Sequence, residues 1–282
     1  MMKDDRFYVS YKRSTYFCGS EGYGMQRYFI HPDEFADAVV TITGDDAHHL
    51  IRVMRAKPGD TCIVSDGVSR EALVRIRSLE DRQVTADIVD RLPMENEAAV
   101  DVWIAQSLPK GDKMELVIQK GTEIGAVRFL PFVSERTVVQ LDGKKEGKRL
   151  ERWQKIAKEA AEQAHRNRVP AVESVLSWKE LLRTASEADA AWICYEKQDA
   201  QQLRRAIREA VSKRSDRTDG SRAKLMLIVG PEGGFSEREV SEAEAAGCVV
   251  VGLGKRILRT ETAAMVGLTC ILYESGEMGG EQ

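Results

Sequence analysis

Two glycine-bearing loops hold the residues of this 282-residue chain best suited to chemistry. The first, Gly230-Pro231-Glu232-Gly233-Gly234-Phe235, follows the apolar run Leu225–Val229. Glycines let backbone approach a ligand where any Cβ would collide. An acidic Glu232 held among them is more than a simple turn needs. Ser236, with Glu239 three residues on, reads as a capping pair, so the loop opens a helix. The second loop runs Gly252-Leu253-Gly254-Lys255-Arg256-Ile257-Leu258-Arg259-Thr260-Glu261-Thr262-Ala263, from a strand into a helix capped by Thr260. Neither loop fits a phosphate cradle. The third glycine of a dinucleotide fingerprint would fall on Ile257, and Phe235-Ser236-Glu237 stands where a P-loop ends in Gly-Lys-Ser/Thr. The pair suits a mostly neutral ligand with an adenine edge, read by backbone groups and clasped by Leu253, Ile257 and Leu258.

The elements that must position these loops follow from hydrophobic periodicity. From Arg27 to about Arg91 the pattern is of short strands: Ala38–Thr43, Thr61–Ser65, Glu71–Ile76 and Val84–Ile88. Turn signals at Pro58-Gly59-Asp60 and Asp66-Gly67 separate them, which predicts a small barrel or curled sheet. One helical piece, Asp45–Met54, interrupts it. After a break at Leu92–Glu97 the texture changes. Strands at Val100–Ala105, Val127–Val133, Ala190–Tyr195, Lys224–Val229 and Cys248–Val251 alternate with helices. The helices are Lys113–Ile124, Lys148–Arg168, Ala200–Lys213, Ser236–Ala246 and Thr260–Tyr273. That alternation is the signature of a mostly parallel sheet covered on both faces, an α/β fold. Ligands in such sheets bind at the carboxyl ends of the strands, so the chemistry belongs after Tyr195, Val229 and Val251. The expected organisation is an atypical extension over 1–24, a β-barrel unit over 25–92 and an α/β unit over 98–275. Met25-Gln26-Arg27-Tyr28-Phe29 reads as the natural start of the fold.

Composition narrows the class. At 43% hydrophobic and 31% charged the chain can bury a core, and its net charge of −3 argues against a wholly basic nucleic-acid coat. Only 6% of residues are aromatic, too few for broad base-stacking platforms. The five cysteines form no C-x-x-C pair, and no histidine spacing suggests a metal. The expectation is therefore reduced thiols in a cytoplasmic protein without metal or membrane span. Lys and Arg are nevertheless concentrated in residues 110–170 and 201–224. Within an acidic chain, such concentrations suggest phosphate contacts.

Both loops, in this order and separation, resemble the signature of the RsmE family, the 16S ribosomal RNA uracil-N3 methyltransferases of the SPOUT superfamily. Further matches are Gln119-Lys120-Gly121-Thr122-Glu123-Ile124-Gly125, Pro131 to Arg136, Glu159 through Gln163, and Arg166 to Pro170. In the first unit, His48-His49-Leu50, Val53-Met54-Arg55 and Pro58-Gly59-Asp60 agree too. The similarity runs from Met25 to Tyr273, although Gly121 stands where a bulkier small residue is usual. The resemblance implies a PUA-like barrel, a deep trefoil knot at the carboxyl end, a homodimer and S-adenosylmethionine as cofactor. It carries Gly230, Pro231, Glu232, Gly233, Leu253, Gly254, Ile257, Leu258, Thr262 and Ala263 over as cofactor positions, with Tyr195 and Glu196 from a third loop.

For uracil N3 the imide proton must leave first, which costs ~3–4 kcal/mol if the group titrates ~2–3 units above neutral. Arg259 is the candidate cation beside the developing enolate, and Glu232 or Glu261 the candidate proton acceptor. Arg27, His48, Arg52, Arg55, Lys110, Lys113 and Arg166 are the candidate RNA contacts, on an assembled small subunit whose shape is read. Two alternatives stay open: a 2′-O-ribose methyltransferase of the same superfamily, and a non-catalytic ribosome-assembly factor.

Overall fold

The computed structural model describes residues 25–139, 143–195, 201–212 and 221–279. The predicted extension over 1–24 and Glu196 lie outside the described residues.

The amino-terminal unit is a five-stranded sheet of β1 (Arg27–Phe29), β2 (Val39–Thr43), β3 (Thr61–Ser65), β4 (Glu71–Glu80) and β5 (Gln83–Arg91). Their order is β1-β3-β4-β5-β2, with only the β1–β3 pair parallel. Val40, Ile42, Cys62, Val64, Val74, Ile76, Val84 and Ala86 alternate onto one buried face. Register shifts between β4 and β5 at Leu73/Val74 and Ile76/Ser78 bend these long strands, which curls the sheet. The predicted helical piece is α1 (Gly44–His48) running into a π-helical turn at His49–Val53. Arg55 ends it with a left-handed backbone, φ 52°.

In the second unit the described elements are β6 (Val100–Ser107), α2 (Lys113–Ile124), β7 (Arg128–Phe132), α3 (Gly143–Gln163), β8 (Ala171–Val172) and α4 (Trp178–Ala185). Then come β9 (Ala190–Cys194), β10 (Gln201–Gln202), α5 (Leu203–Ser212), β11 (Ala223–Val229), α6 (Glu237–Ala245), β12 (Val249–Gly252) and α7 (Thr260–Glu274). The seven strands are all parallel, in the order β10-β12-β9-β11-β6-β7-β8. Two apolar layers cover the sheet. One gathers Val117, Ile118, Trp153, Ile207 and Leu268 from α2, α3, α5 and α7; the other gathers Leu181, Ala185, Val240 and Ala243 from α4 and α6. Because every strand runs the same way, the ends of β6, β9, β11 and β12 share one edge. The chain leaves β12, passes the ends of β9 and β11, and starts α7, which packs on α2, α5, β6 and β11.

A polar seam joins the units. Buried Arg27 of β1 makes a two-point contact with Glu71 and also donates to the Arg166 carbonyl at 2.7 Å. Asn167 Nδ2 reaches the same Glu71, and Ser65 Oγ donates to the Asn167 carbonyl. From the segment between the units, Glu97 takes Arg166, Arg168 and the backbone N–H of Asn167. Burial raises the Glu97 carboxyl, but the two guanidinium groups outweigh that and hold it below the usual range. Such a network is stable only with every member paired.

Candidate functional site

The two glycine loops meet. Thr260 is not the cap of α7 but its first residue; Arg259 is the N-cap and its side chain makes no cap bond. Freed from capping, the Thr260 hydroxyl donates to the Gly230 carbonyl at 2.6 Å. Gln106, at the end of neighbouring β6, donates Nε2 to Thr260 Oγ1 at 2.8 Å and lies 3.5 Å from the same carbonyl. Tyr195 directly follows β9, which lies between β12 and β11, and its N–H donates to the Val251 carbonyl. One hydroxyl therefore staples loop to loop, directly over the strand ends.

The first loop is pinned from below as well. Phe235 is fully buried, stacked on Phe132 at 6.3 Å and tilted against Trp178 at 5.7 Å. Ser236 and Glu239 form the predicted reciprocal cap of α6. Its glycines answer to protein packing: a Cβ on Gly230 would lie 3.0 Å from the Phe235 ring, and one on Gly233 3.2 Å from Arg136 Cβ. Trp178 belongs to α4, an element the periodicity missed, although Ser177 and Glu180 spell its capping box.

Glu232 and Glu261 do converge, on a lysine. Lys113 Nζ lies 2.8 Å from Glu232 Oε1 and 3.6 Å from Glu261 Oε2. The hydrogen bond it donates to Glu232 is the main reason the Lys113 ammonium titrates higher than usual. Desolvation raises the Glu232 carboxyl, yet Lys113 and the backbone N–H groups of Glu232 and Lys110 pull it net downward. Glu261 is buried, and its Oε2 accepts no hydrogen bond. Lys113, expected on RNA, is thus bound up inside the site. Leu253 and Leu258 pack on the core beneath, whereas Ile257 is 89% exposed and forms no part of the expected clasp. Thr262 is half-buried and Ala263 buried on the first turn of α7. Burial pushes the thiols of Cys62 and Cys194 up to about 12, so neither is an activated nucleophile.

The expected RNA contacts divide. Arg27 and Arg166 are corrected: both are buried in the seam, their charges spent on Glu71 and Glu97, with no face for a phosphate. His48, Arg52, Arg55 and Lys110 are exposed, Arg52 lying 3.4 Å from Asp81. Much of the basic surplus over 110–170 is neutralised locally, through Glu232, Glu123, Glu115, Asp45, Asp46 and Glu97. Over 201–212, Arg204 and Arg208 both pair with Glu274.

A family model described as an RNA methyltransferase domain matches residues 96–272, and one for the RNA methyltransferase PUA domain matches residues 42–89. The ribosomal RNA small subunit methyltransferase E of Bacillus subtilis is 41% identical over 261 residues, 92% of this chain and 100% of that protein. The chain belongs to this family. Its fold is shared with the Neisseria gonorrhoeae ribosomal RNA small subunit methyltransferase E bound to S-adenosyl methionine. That structure has a TM-score of 0.74 and 33% identity, over 88% of this chain and 97% of the other. A Legionella pneumophila methyltransferase in complex with the same cofactor gives 0.76 and 26%, over 89% and 98%. The curled sheet is accordingly the PUA unit and the parallel sheet the methyltransferase unit of this family, and the stapled loops lie within the latter.

Proposed function

We propose that this protein transfers the methyl group of S-adenosylmethionine to N3 of one uridine in 16S ribosomal RNA, acting as a cytoplasmic homodimer on the assembled small subunit. The observation that carries the reading is the Thr260–Gly230 staple, which closes the two family-matching loops over the ends of β9, β11 and β6. Residues present suit the cofactor. Gly254 has φ +105° with open space where a Cβ would stand, Leu253 and Leu258 offer apolar surface, and the buried Gln106 Oε1 has no partner. Gly230, Pro231, Glu232, Gly233, Leu253, Gly254, Leu258, Thr262 and Ala263 would hold it, with Tyr195 between the loops. When bound, it supplies an electrophilic methyl group on a sulfonium.

The chain's own residues must then make N3 a nucleophile. Arg259 is exposed at the N-terminus of α7, where the helix field adds to its charge, and it offers donors to the forming enolate oxygen. Glu232 is a poor proton acceptor, since Oε1 already takes Lys113 and the Lys110 N–H and its carboxyl titrates low. Glu261 Oε2 accepts no hydrogen bond and meets Lys113 only at the longer 3.6 Å, which makes it the better acceptor of the two. No covalent intermediate is needed, in keeping with the unreactive thiols.

The test is to map modified uridines in ribosomal RNA from a deletion strain, with and without the gene restored. One N3-methyluridine should vanish on deletion and return on complementation. An unchanged map would end the proposal.

A further inference from the structure

Three exposed cations surround the first glycine loop with no carboxylate at ion-pair distance among the described residues: Lys110, Arg136 and Arg259. Their lack of a direct ion pair stands out in a chain of net charge −3 that pairs so many of its other basic groups, although the Glu135 carboxylate feels the charge of Arg136. Of the three, Arg136 is built in most firmly. Its Nη1 donates to the Gly233 carbonyl at 2.9 Å, and its stem lies against Gly233, where a Cβ would be 3.2 Å from Arg136 Cβ and 3.6 Å from Cδ.

The segment that carries it is braced at several points. Ser107, Ser134 and Thr137 join their hydroxyls at 2.9 to 3.1 Å. The Glu135 N–H donates to Glu239 Oε1, and Ser236 Oγ donates to the Glu135 carboxylate. So the guanidinium stands on rigid ground at the mouth of the loop. A guanidinium has five N–H donors, of which Gly233 takes one. Val133 and Val138, on the same segment, expose apolar side chains at 42% and 69%. A braced guanidinium with most of its donors free, flanked by apolar surface, matches a nucleotide, with an anionic oxygen pair beside a sugar or base.

Resting on the methyltransferase reading above, we propose that Arg136 is the receptor for an RNA phosphodiester next to the target uridine. It holds that phosphate with the donors that Gly233 leaves free. The carboxylate of the cofactor shares this oxyanion chemistry, so the two sources must be separated by experiment.

The experiment measures methylation of small subunits lacking the modification by full-length wild type, Arg136→Met and Arg136→Lys, across a salt series. In parallel, the affinity of each for S-adenosylmethionine alone is measured. Arg136→Met should raise KM for subunits about tenfold and reduce the slope of log KM against log salt by about one, the mark of one lost phosphate contact. Arg136→Lys should restore the slope but not the full KM, because an ammonium cannot serve Gly233 and a phosphate as a fork does. A wild-type salt slope in Arg136→Met overturns the inference, whatever happens to overall activity. So does weaker cofactor binding with an unchanged KM for subunits, which would place the cofactor's carboxylate there. A change in oligomeric mass confined to the variant would also overturn it, by making Arg136 an interface residue. Wild type that cannot methylate subunits sinks the functional reading itself; an active wild type with an indifferent Arg136 sinks only this assignment.

Discussion

At the scale of single residues, the site is organised by what each polar group has left to give. Arg259 has its whole guanidinium available, and Arg259→Ala should lower the single-turnover rate at saturating RNA by roughly 10²–10³, as loss of a transition-state donor does. Equal rates would remove Arg259 from the chemical step. Lys113 instead spends its charge on Glu232 and Glu261. Lys113→Met should weaken S-adenosylmethionine binding on the order of tenfold, with Lys113→Arg close to wild type. Calorimetric titration reads both, and an unaltered affinity in Lys113→Met would show that pairing Glu232 and Glu261 through Lys113 does not shape the cofactor loops. That Gly230 and Glu232 lie in a strand-to-helix turn closed by the Ser236–Glu239 cap could be seen in the sequence because turn chemistry is local. The partner of Thr260 could not, since Gly230 is thirty residues away and only the return of α7 across the strand ends brings the two together.

Elements were legible wherever periodicity was sustained. Thr61–Ser65 and Lys113–Ile124 form with the expected bounds, and the other predicted strands and helices differ mainly at their ends. Very short strands escaped, because two or three residues carry no period: β1, β8 and β10 exist by pairing with a neighbour. The helix α3 stops at Gln163 rather than reaching Arg168, because His165 takes a left-handed backbone, φ 55°, and turns the chain into the seam. Gly121 shows sequence and packing in register. A Cβ there would sit 2.7 Å from Cε1 of the fully buried Phe129. Gly121→Ala should therefore destabilise the protein by ~1–2 kcal/mol despite the better helix propensity of alanine. The double variant with Phe129→Leu should recover part of that loss. Denaturant midpoints at constant slope decide it, and a more stable single variant would refute the overpacking account.

For the whole molecule, the seam is the decisive feature. Glu97→Gln leaves the Arg166 guanidinium buried without its counter-charge, and should cost roughly 3–5 kcal/mol in thermal or chemical unfolding. A loss under 1 kcal/mol would mean the network is dispensable. Nearby, Glu162 accepts the Phe29 N–H across the two units, and desolvation raises its carboxyl to about 7 despite Lys158. A carboxyl raised on folding binds its proton more tightly in the native state, so its stability cost is absent below the unfolded value near 4.5 and complete above about 7. Glu162→Gln should accordingly stabilise the protein by ~1–3 kcal/mol at pH 8 and leave it nearly unchanged at pH 4. The same gain at both pH values would show that Glu162 does not titrate as described.

The seam also decides how the protein measures its substrate. Arg27, Glu71, Glu97, Arg166 and Asn167 interlock the PUA sheet with the unit that carries the stapled loops, so swinging the two apart would expose or unpair buried charges. On the proposed function, with the PUA unit and the stapled loops both gripping RNA, the molecule would work as a gauge of set span. RNA matching that span would gain both grips at once, whereas a clipped hairpin bearing only the target base would keep one and forfeit the multiplied affinity of the pair.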